Sequence, residues 1–174
     1  MLMSGGAPFE TADGPAVSLR PAAGEDYEEL VRVYASTRAA ELAQVTWWSD
    51  EQKLAFCRSQ YDSQKSEYDA RFPDAEYDVI LVEGKTAGRI WVGRDKEEIR
   101  LLDIALLPEY QGQGVGAALV GALIEEARSK GVRLRHMVFM LNEGARRFYE
   151  RLGFRAFEEF SGYLHMEWKP EEEQ

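Results

Sequence analysis

Apolar and polar residues alternate with two different periods along this chain. Apolar side chains recur three and four positions apart from Tyr27 to Tyr34, which predicts an amphipathic helix over about residues 25–42. Ser49, followed three residues later by Gln52, is typical of a capping box and predicts a second helix. The apolar face of that helix comprises Leu54, Cys57, Tyr61, Tyr68 and Phe72.

The period then changes from helical to extended. Short extended segments predict six strands, at residues 17–19, 77–83, 86–93, 99–107, 132–138 and 154–160, and a seventh at 163–168. Two further helices are predicted, over about residues 113–130 and from Asn142, a good N-cap, to Gly153. We therefore expect an α/β (α+β) fold with a mixed, mostly antiparallel sheet, in which strands 99–107 and 132–138 are parallel neighbours joined by a helix.

Length and composition indicate one globular domain. The chain has 174 residues, of which 45% are hydrophobic and 30% charged. We expect residues 1–15 to form a flexible leader, residues 16–170 a single domain, and residues 171–174 a polar tail.

Several classes of protein are disfavoured. The longest strongly apolar run, Val79 to Val82, is far short of the roughly 20 residues of a membrane helix. No signal-peptide pattern precedes Arg20, so we expect a cytoplasmic protein with no membrane partner. The single cysteine and two histidines argue against a metal site.

Net charge argues against nucleic acid as a partner. The formal charge of −10 repels phosphate backbones. Residues 128–155 nevertheless carry eight basic side chains against two acidic ones, Glu143 and Glu150. This cationic stretch is either a set of solvated faces or a site for an anion.

A glycine-rich turn between a strand and a helix is the most informative segment. Gln111-Gly112-Gln113-Gly114-Val115-Gly116-Ala117 would present free helix N–H groups to a diphosphate. A P-loop is excluded, because it needs Lys and then Ser or Thr where Ala117-Ala118 stand. A dinucleotide-binding fingerprint is disfavoured, because the turn does not follow its strand immediately and the next strand ends without a carboxylate.

Three motifs in order resemble the Gcn5-related N-acetyltransferase (GNAT) family. The first is Gln111-x-x-Gly114-x-Gly116, which matches the family's Q/R-x-x-G-x-G/A loop. The second is Asn142-x-x-Ala145-x-x-x-Tyr149-x-x-x-Gly153-Phe154, and the third is the strand end Asp103 to Pro108. The resemblance extends over about residues 17–168.

The resemblance implies acetyl-coenzyme A as acyl donor and no metal. In the family the two parallel strands splay apart and hold the pantetheine arm between them. The implied cofactor-binding residues are Ile104, Ala105, Leu106, Gln111, Gly112, Gln113, Gly114, Val115, Gly116, Ala117, Asn142 and Tyr149.

The resemblance also implies catalytic roles. Tyr149 is expected to protonate the departing thiolate, and a backbone N–H at a strand bulge, assigned to Leu106, to stabilise the oxyanion. The glutamate that some relatives carry before the tyrosine helix is missing from His136 to Phe139. Asp103 and Glu41 are the remaining candidates for a base, whereas His136 is interpreted as a packed strand residue and Cys57 as a core residue.

The predicted function is direct transfer of an acetyl group to a primary amine of a small molecule or peptide in a ternary complex. The acidic remainder of the chain is expected to favour cations near the acceptor cleft. A non-catalytic module that binds or senses coenzyme A is the alternative. A homodimer is compatible with the sequence, which does not determine the oligomeric state.

Overall fold

The computed structural model describes residues 9–10 and 14–171, and a single eight-stranded sheet organises them. The strands are β1 (Phe9–Glu10), β2 (Ala16–Pro21), β3 (Glu76–Val82), β4 (Lys85–Arg94), β5 (Glu98–Leu106), β6 (Arg133–Phe139), β7 (Arg155–Phe160) and β8 (Tyr163–Trp168). Their order in the sheet is β1-β2-β3-β4-β5-β6-β8-β7. Of the pairs described, β5 and β6 are parallel and the others antiparallel, so the predicted mixed sheet is confirmed.

Helices cover both faces of this sheet. They are α1 (Tyr27–Thr37), α2 (Ala39–Leu42), α3 (Asp50–Arg71), α4 (Val115–Lys130) and α5 (Glu143–Arg151). Short 3-10 turns at Gly24–Asp26 and Pro108–Tyr110 precede α1 and the glycine loop. No helix in the described part of the chain is long and apolar enough to cross a membrane.

The helix predicted over residues 25–42 is interrupted at Arg38. The hydroxyls of Ser36 and Thr37 donate to the carbonyl oxygens of Val33 and Tyr34 at 2.7 and 2.6 Å. Such local bonds satisfy the last carbonyls of a helical turn without extending the helix. The chain therefore continues as two helices, α1 and α2.

Three other helix ends have the caps that the sequence predicts. Ser49 Oγ accepts from Gln52 N–H at 3.2 Å, and Gln52 Oε1 accepts from Ser49 N–H at 2.8 Å, completing the capping box. Asn142 Oδ1 accepts from Ala145 N–H at 3.0 Å. Gly131 ends α4 with a φ of 66°, as a left-handed C-cap requires.

One segment of the predicted leader is ordered. Phe9–Glu10 pairs with Val17 and Ala16 as an edge strand, which the small polar residues around it did not indicate. Residues 1–8, 11–13 and 172–174, the remainder of the leader and most of the polar tail, lie outside the described residues.

An apolar cluster lies on each face of the sheet. On one face, buried residues of α4, among them Leu119 and Leu123, pack against β-strand residues such as Ile90 and Leu101. On the other face α1 and α3 pack over Val79. The alternation along β4 places Arg89 and Trp91 on the face of α1 and α3.

Candidate active site

The parallel strands β5 and β6 separate part-way along their length. They pair only over Glu98 to Leu101 and Arg133 to His136, although β5 continues to Leu106 and β6 to Phe139. Next to the last pair, the register of β5 against β4 shifts, which leaves Leu102 as an extra residue. This β-bulge lies where the two strands part, a position at which bulges redirect side chains and expose backbone groups.

Asp103, the residue after the bulge, forms an ion pair with Arg89 on β4. The distance from Arg89 Nε to Asp103 Oδ2 is 2.8 Å, without the alignment of a hydrogen bond. Arg89 also donates from Nη2 to Gln64 Oε1 at 2.8 Å. Its guanidinium lies 5.6 and 5.8 Å from the ring centres of Tyr34 and Tyr61, close enough for cation–π attraction.

The gap between β5 beyond Leu101 and β6 beyond His136 is called the opening. Tyr149 lies beside it in an aromatic cluster. Its ring centre lies 4.7 Å from that of His136, 5.1 Å from Phe148 and 5.2 Å from Phe154. Burial and, secondarily, the charge of Asp103 raise the pKa of the Tyr149 hydroxyl above its usual value. No hydrogen bond of this hydroxyl is found among the described residues, and Tyr149 is buried.

His136 is fixed in one tautomer at the same point. Its Nδ1 lies 2.8 Å from the Leu101 carbonyl oxygen, and because a carbonyl only accepts, Nδ1 carries the hydrogen. Burial lowers the pKa of His136, while the Leu101 carbonyl and Asp103 act in the opposite direction. The ring is therefore neutral at pH 7, with its lone pair on Nε2.

The glycine loop joins β5 to α4. Gly112 and Gly114 have φ values of 72° and 81°, a left-handed conformation that favours glycine, and no other atoms crowd the position of a Cβ at either. Gln111 Nε2 donates to Leu106 O and Gln113 Nε2 to Glu109 O, at 2.9 and 2.8 Å, so these side chains brace the loop. The first turn of α4 has neither an acidic residue nor a side-chain cap, which leaves its N–H groups and positive dipole end free for an anion.

The last part of β5 is set by a close backbone contact. A Cβ on Gly88 would lie 2.0 Å from the carbonyl oxygen of Ala105. Only glycine allows this approach of β4 to β5. The position of residues 104–106 beside the opening therefore depends on Gly88.

A cavity of about 480 Å³ lies beside the point where β5 and β6 part. Its walls come from the end of α3, from β5 and β6 around Leu102 and His136, and from the β7–β8 hairpin. Its charged lining residues are Arg71, Arg100, Arg135 and Glu158. Three of these four side chains are basic, although the whole chain is acidic. The expectation that the acidic remainder of the chain favours cations near the acceptor cleft stays a prediction.

The predicted catalytic residues are brought together only in part. Asp103 and Tyr149 lie at the opening, close enough for the charge of Asp103 to raise the pKa of Tyr149. The bulge is at Leu102 and not at Leu106, which pairs in regular register with Gly88, so the assignment of the bulge to Leu106 is corrected. Glu41 lies on α2, where no residue is buried, and its 67% exposed side chain pairs with Arg38 instead of reaching this cluster.

The predicted cofactor-binding residues lie along the strand and loop. Ile104 and Leu106 pack partly buried against the α4 side of the core, and Ala105 packs with Val33 and Leu107. Asn142 uses its side-chain oxygen as the N-cap of α5. Whether these residues bind a cofactor stays a prediction.

The cationic stretch between residues 128 and 155 is largely neutralised. Six of its eight basic residues pair with carboxylates, within 4.0 Å; they are Arg128, Lys130, Arg133, Arg135, Arg146 and Arg147. Solvated, ion-paired faces therefore account for most of this stretch.

Sequence reasoning missed Arg89 and the place of Tyr68 in the cavity wall. Tyr68 was placed correctly on the buried face of α3, but it also lines the cavity, and burial raises the pKa of its hydroxyl. A usable signal for Arg89 was its opposite charge to Asp103 on a neighbouring strand of the predicted meander.

A comparison with family models matches residues 40–154 to the acetyltransferase (GNAT) family. The chain belongs to this family. Among curated relatives, an N-acetyltransferase of Methanocaldococcus jannaschii whose function is uncharacterised is 36% identical over 96 residues, 51% of this chain and 42% of the relative. A [ribosomal protein bS18]-alanine N-acetyltransferase of Haemophilus influenzae is 41% identical over 58 residues, 33% of this chain and 40% of the relative. The chain thus spans less than half the length of either GNAT relative.

Solved structures agree with the GNAT fold. The PaiA N-acetyltransferase of Thermoplasma acidophilum, crystallised in complex with coenzyme A, superposes with a TM-score of 0.67 at 22% identity, covering 88% of this chain and 98% of that one. An acetyltransferase of Thermus thermophilus superposes with a TM-score of 0.63 at 21% identity, covering 88% of this chain and 96% of that one. At these identities the likeness establishes the fold.

Proposed function

We propose that this GNAT protein transfers the acetyl group of acetyl-coenzyme A to a primary amine of a small molecule or peptide. The amine attacks the thioester directly while both substrates are bound. The observation that carries the proposal is the opening between β5 and β6, with Tyr149 and Asp103 beside it and the glycine loop at the end of β5. Relatives named for the acetylation of alanine in a ribosomal protein and of thialysine support an amine as acceptor.

The residues present fit acetyl-coenzyme A. The uncapped N–H groups of Val115, Gly116 and Ala117 suit the diphosphate, because a helix N-terminus attracts anions. The unpaired edges of β5 and β6 beyond Leu101 and His136 offer backbone groups to the amide-containing pantetheine arm. Acetyl-coenzyme A would supply an activated acyl group on a thiol leaving group.

Three parts of the chain would serve the reaction. Tyr149 donates a proton to the departing sulfur, because its raised pKa keeps the phenol protonated at neutral pH. A backbone N–H of the strand end faces the carbonyl oxygen as its negative charge develops; Leu106 was the predicted donor, and the bulge at Leu102 is a second one. Asp103 accepts the amine proton through water, since it is the predicted base candidate beside the opening.

A coenzyme A binding or sensing module without turnover is the second candidate. It is favoured by the engagement of Asp103 with Arg89, which ties up one carboxylate oxygen of the candidate base. In that case the glycine loop would still bind the diphosphate of coenzyme A, but Tyr149 would not donate a proton to a departing sulfur.

Release of coenzyme A thiol from acetyl-coenzyme A, followed with a panel of primary amines, separates the two candidates. Amine-dependent thiol release above the amine-free rate supports the transferase. Saturable binding of acetyl-coenzyme A with no amine-dependent release from any member of a broad panel supports the binding module. Absence of both would contradict the proposed function.

A further inference from the structure

We propose that the acceptor is an amine that also carries an anionic group, a carboxylate or a phosphate, bound by Arg100 and Arg135 with Arg71 at the cavity rim. The inference rests on the proposed transferase function, because it names the substrate class for the cavity beside the opening. The acceptor would present its amine to the opening and its anionic group to the arginines.

The arginines lie directly before the point where β5 and β6 part. Arg100 and Arg135 are register partners on β5 and β6, one residue before the last pair, Leu101 and His136. Neighbouring strands lie about 4.8 Å apart, so two guanidinium groups share one small area of the cavity wall. Like charges placed opposite each other in a sheet repel. Nearby anions are therefore needed to stabilise Arg100 and Arg135 side by side.

The resident anions are shared among several cations. Glu98 contacts Arg100 at 2.8 Å, Arg135 at 3.5 Å and Arg133 at 3.7 Å. Glu167 contacts both Arg135 and Lys169, at 3.1 and 3.0 Å. Four cations thus share two carboxylates, and Asp95 at the β4–β5 turn adds a more distant negative charge that Arg100 and Arg133 stabilise.

Each arginine keeps hydrogen-bond donors for a ligand. Arg100 uses Nη2 for Glu98, and Arg71 uses Nη1 for Glu67, whereas a guanidinium carries five N–H groups. Arg135 uses Nε and Nη2 for Glu167. Glu158 is the acidic residue among the side chains that line the cavity with these three cations. Paired N–H groups of this kind match the oxygens of a carboxylate or phosphate.

Aromatic rings hold two of the guanidinium groups and line the rest of the cavity. Arg135 lies 4.6 Å from the ring centre of Phe157, and Arg71 lies 5.4 Å from that of Phe72. Tyr68, Phe160 and Tyr163 complete an apolar wall. This wall favours an acceptor whose amine and anionic group are joined by an apolar spacer.

The experiment compares amines that differ only in their anionic group. The aliphatic probes are 6-aminohexanoate, 5-aminopentylphosphonate and 6-aminohexanamide, and the aromatic pair is 4-(aminomethyl)benzoate and 4-(aminomethyl)benzamide. For each probe, kcat/KM for thiol release is measured, and calorimetry gives its affinity for the protein saturated with coenzyme A. We expect the anionic members to be preferred over the amides by roughly tenfold or more, the range of a charge-assisted hydrogen bond. The two aliphatic anions distinguish a carboxylate site from a phosphate site.

Substitutions then assign the preference to the arginines. In Arg100→Gln/Arg135→Gln the preference should fall to about twofold or less, and Arg100→Lys/Arg135→Gln should keep part of it because the lysine returns one positive charge. The matched control is Arg58→Gln, which removes an ion-paired arginine of α3 that pairs with Glu28 outside the cavity. The control should keep the full preference, and coenzyme A affinity should be unchanged in all variants.

The outcomes separate this inference from the proposed function. Amides that react or bind as well as the anionic probes, no binding by either anion, or a preference that survives in the double variant would overturn the inference. Thiol release with neutral amines would in those cases still support the transferase. A calorimetric preference for anions without any thiol release would support the anion site and contradict the proposed transferase.

Discussion

Arg89 and Asp103 form an ion pair whose two members differ in exposure. The Nε–Oδ2 distance is 2.8 Å, the guanidinium side chain is 2% exposed and the carboxylate side chain is 24% exposed. The arginine therefore depends on the aspartate for its neutralisation, whereas the aspartate can also be hydrated. Removal of the aspartate and removal of the arginine should therefore lower the free energy of unfolding by different amounts.

Asp103→Asn should destabilise the protein more than Arg89→Met. The asparagine variant leaves a buried cation without its counter-charge, which costs roughly 3 kcal/mol or more. The methionine variant leaves an aspartate that water can reach, although it also loses the bond to Gln64. Urea unfolding of the two single variants and the double variant measures both costs and their coupling. Equal costs with no coupling energy would show that the pair is not mutually stabilising.

Tyr149→Phe should reduce kcat by roughly 10²-fold, the usual contribution of one acid catalyst, with little change in acetyl-coenzyme A affinity. Packing against His136 and Phe154 should persist because only the hydroxyl is lost. Steady-state kinetics and calorimetry with acetyl-coenzyme A measure the two effects, and thermal melting checks the fold. An unchanged kcat, where chemistry limits turnover, would make Tyr149 a core aromatic.

Gly114→Glu should abolish the rise in Tm that acetyl-coenzyme A produces in the unaltered protein. The substitution adds a like charge where the diphosphate is proposed to bind, at a residue with a φ of 81°. Gly84→Glu is the matched control, because Gly84 has a φ of 75° and equally open surroundings in the β3–β4 turn. Scanning calorimetry with and without ligand should give a shift for the control alone. An equal shift in both variants would remove the loop from the binding site.

Gly88→Ala should displace the end of β5 and weaken acetyl-coenzyme A binding. The new Cβ would overlap the Ala105 carbonyl, and such overpacking typically costs about 1–3 kcal/mol. Gly93→Ala in the same strand has no atom near the added Cβ and should leave binding unchanged. Calorimetric titration of both variants with acetyl-coenzyme A tests this. Tight binding by Gly88→Ala would show that cofactor binding does not depend on the position of the end of β5.

Stability should fall with acidity through His136. Burial lowers the folded-state pKa of His136, so the unfolded chain binds the proton more readily below its own pKa of about 6.5. Its contribution is fully present above that pH and is lost as the pH falls towards the folded-state value, by at most about 1.4 kcal/mol per pH unit. Denaturant unfolding between pH 7.5 and 5 should give a steeper decline for the unaltered protein than for His136→Asn. Parallel curves would exclude this linkage.

The elements of the fold were largely predictable because they depend on local periodicity and capping. Ser49 and Asn142 cap helices as their neighbours in sequence indicate, and Gly131 ends α4. The cytoplasmic location and the homodimer stay predictions. The break at Arg38 was not predicted, because side-chain hydroxyls ended a helix whose apolar period continues.

The sequence by itself determined the family, the order of the main elements from β2 onward and the glycine loop, since these follow from residues that are near neighbours in the chain. Only the tertiary structure decided that Arg89 meets Asp103, that the bulge falls at Leu102, and that Arg100 and Arg135 stand side by side in the cavity wall. The pairing of Arg100 with Arg135 depends on the register of two strands that α4 separates in sequence, and the meeting of Arg89 with Asp103 depends on the register of β4 against β5 on one side of the bulge. A shift of one residue in either register would turn the side chains of the shifted strand to the opposite face, because side chains alternate along a strand.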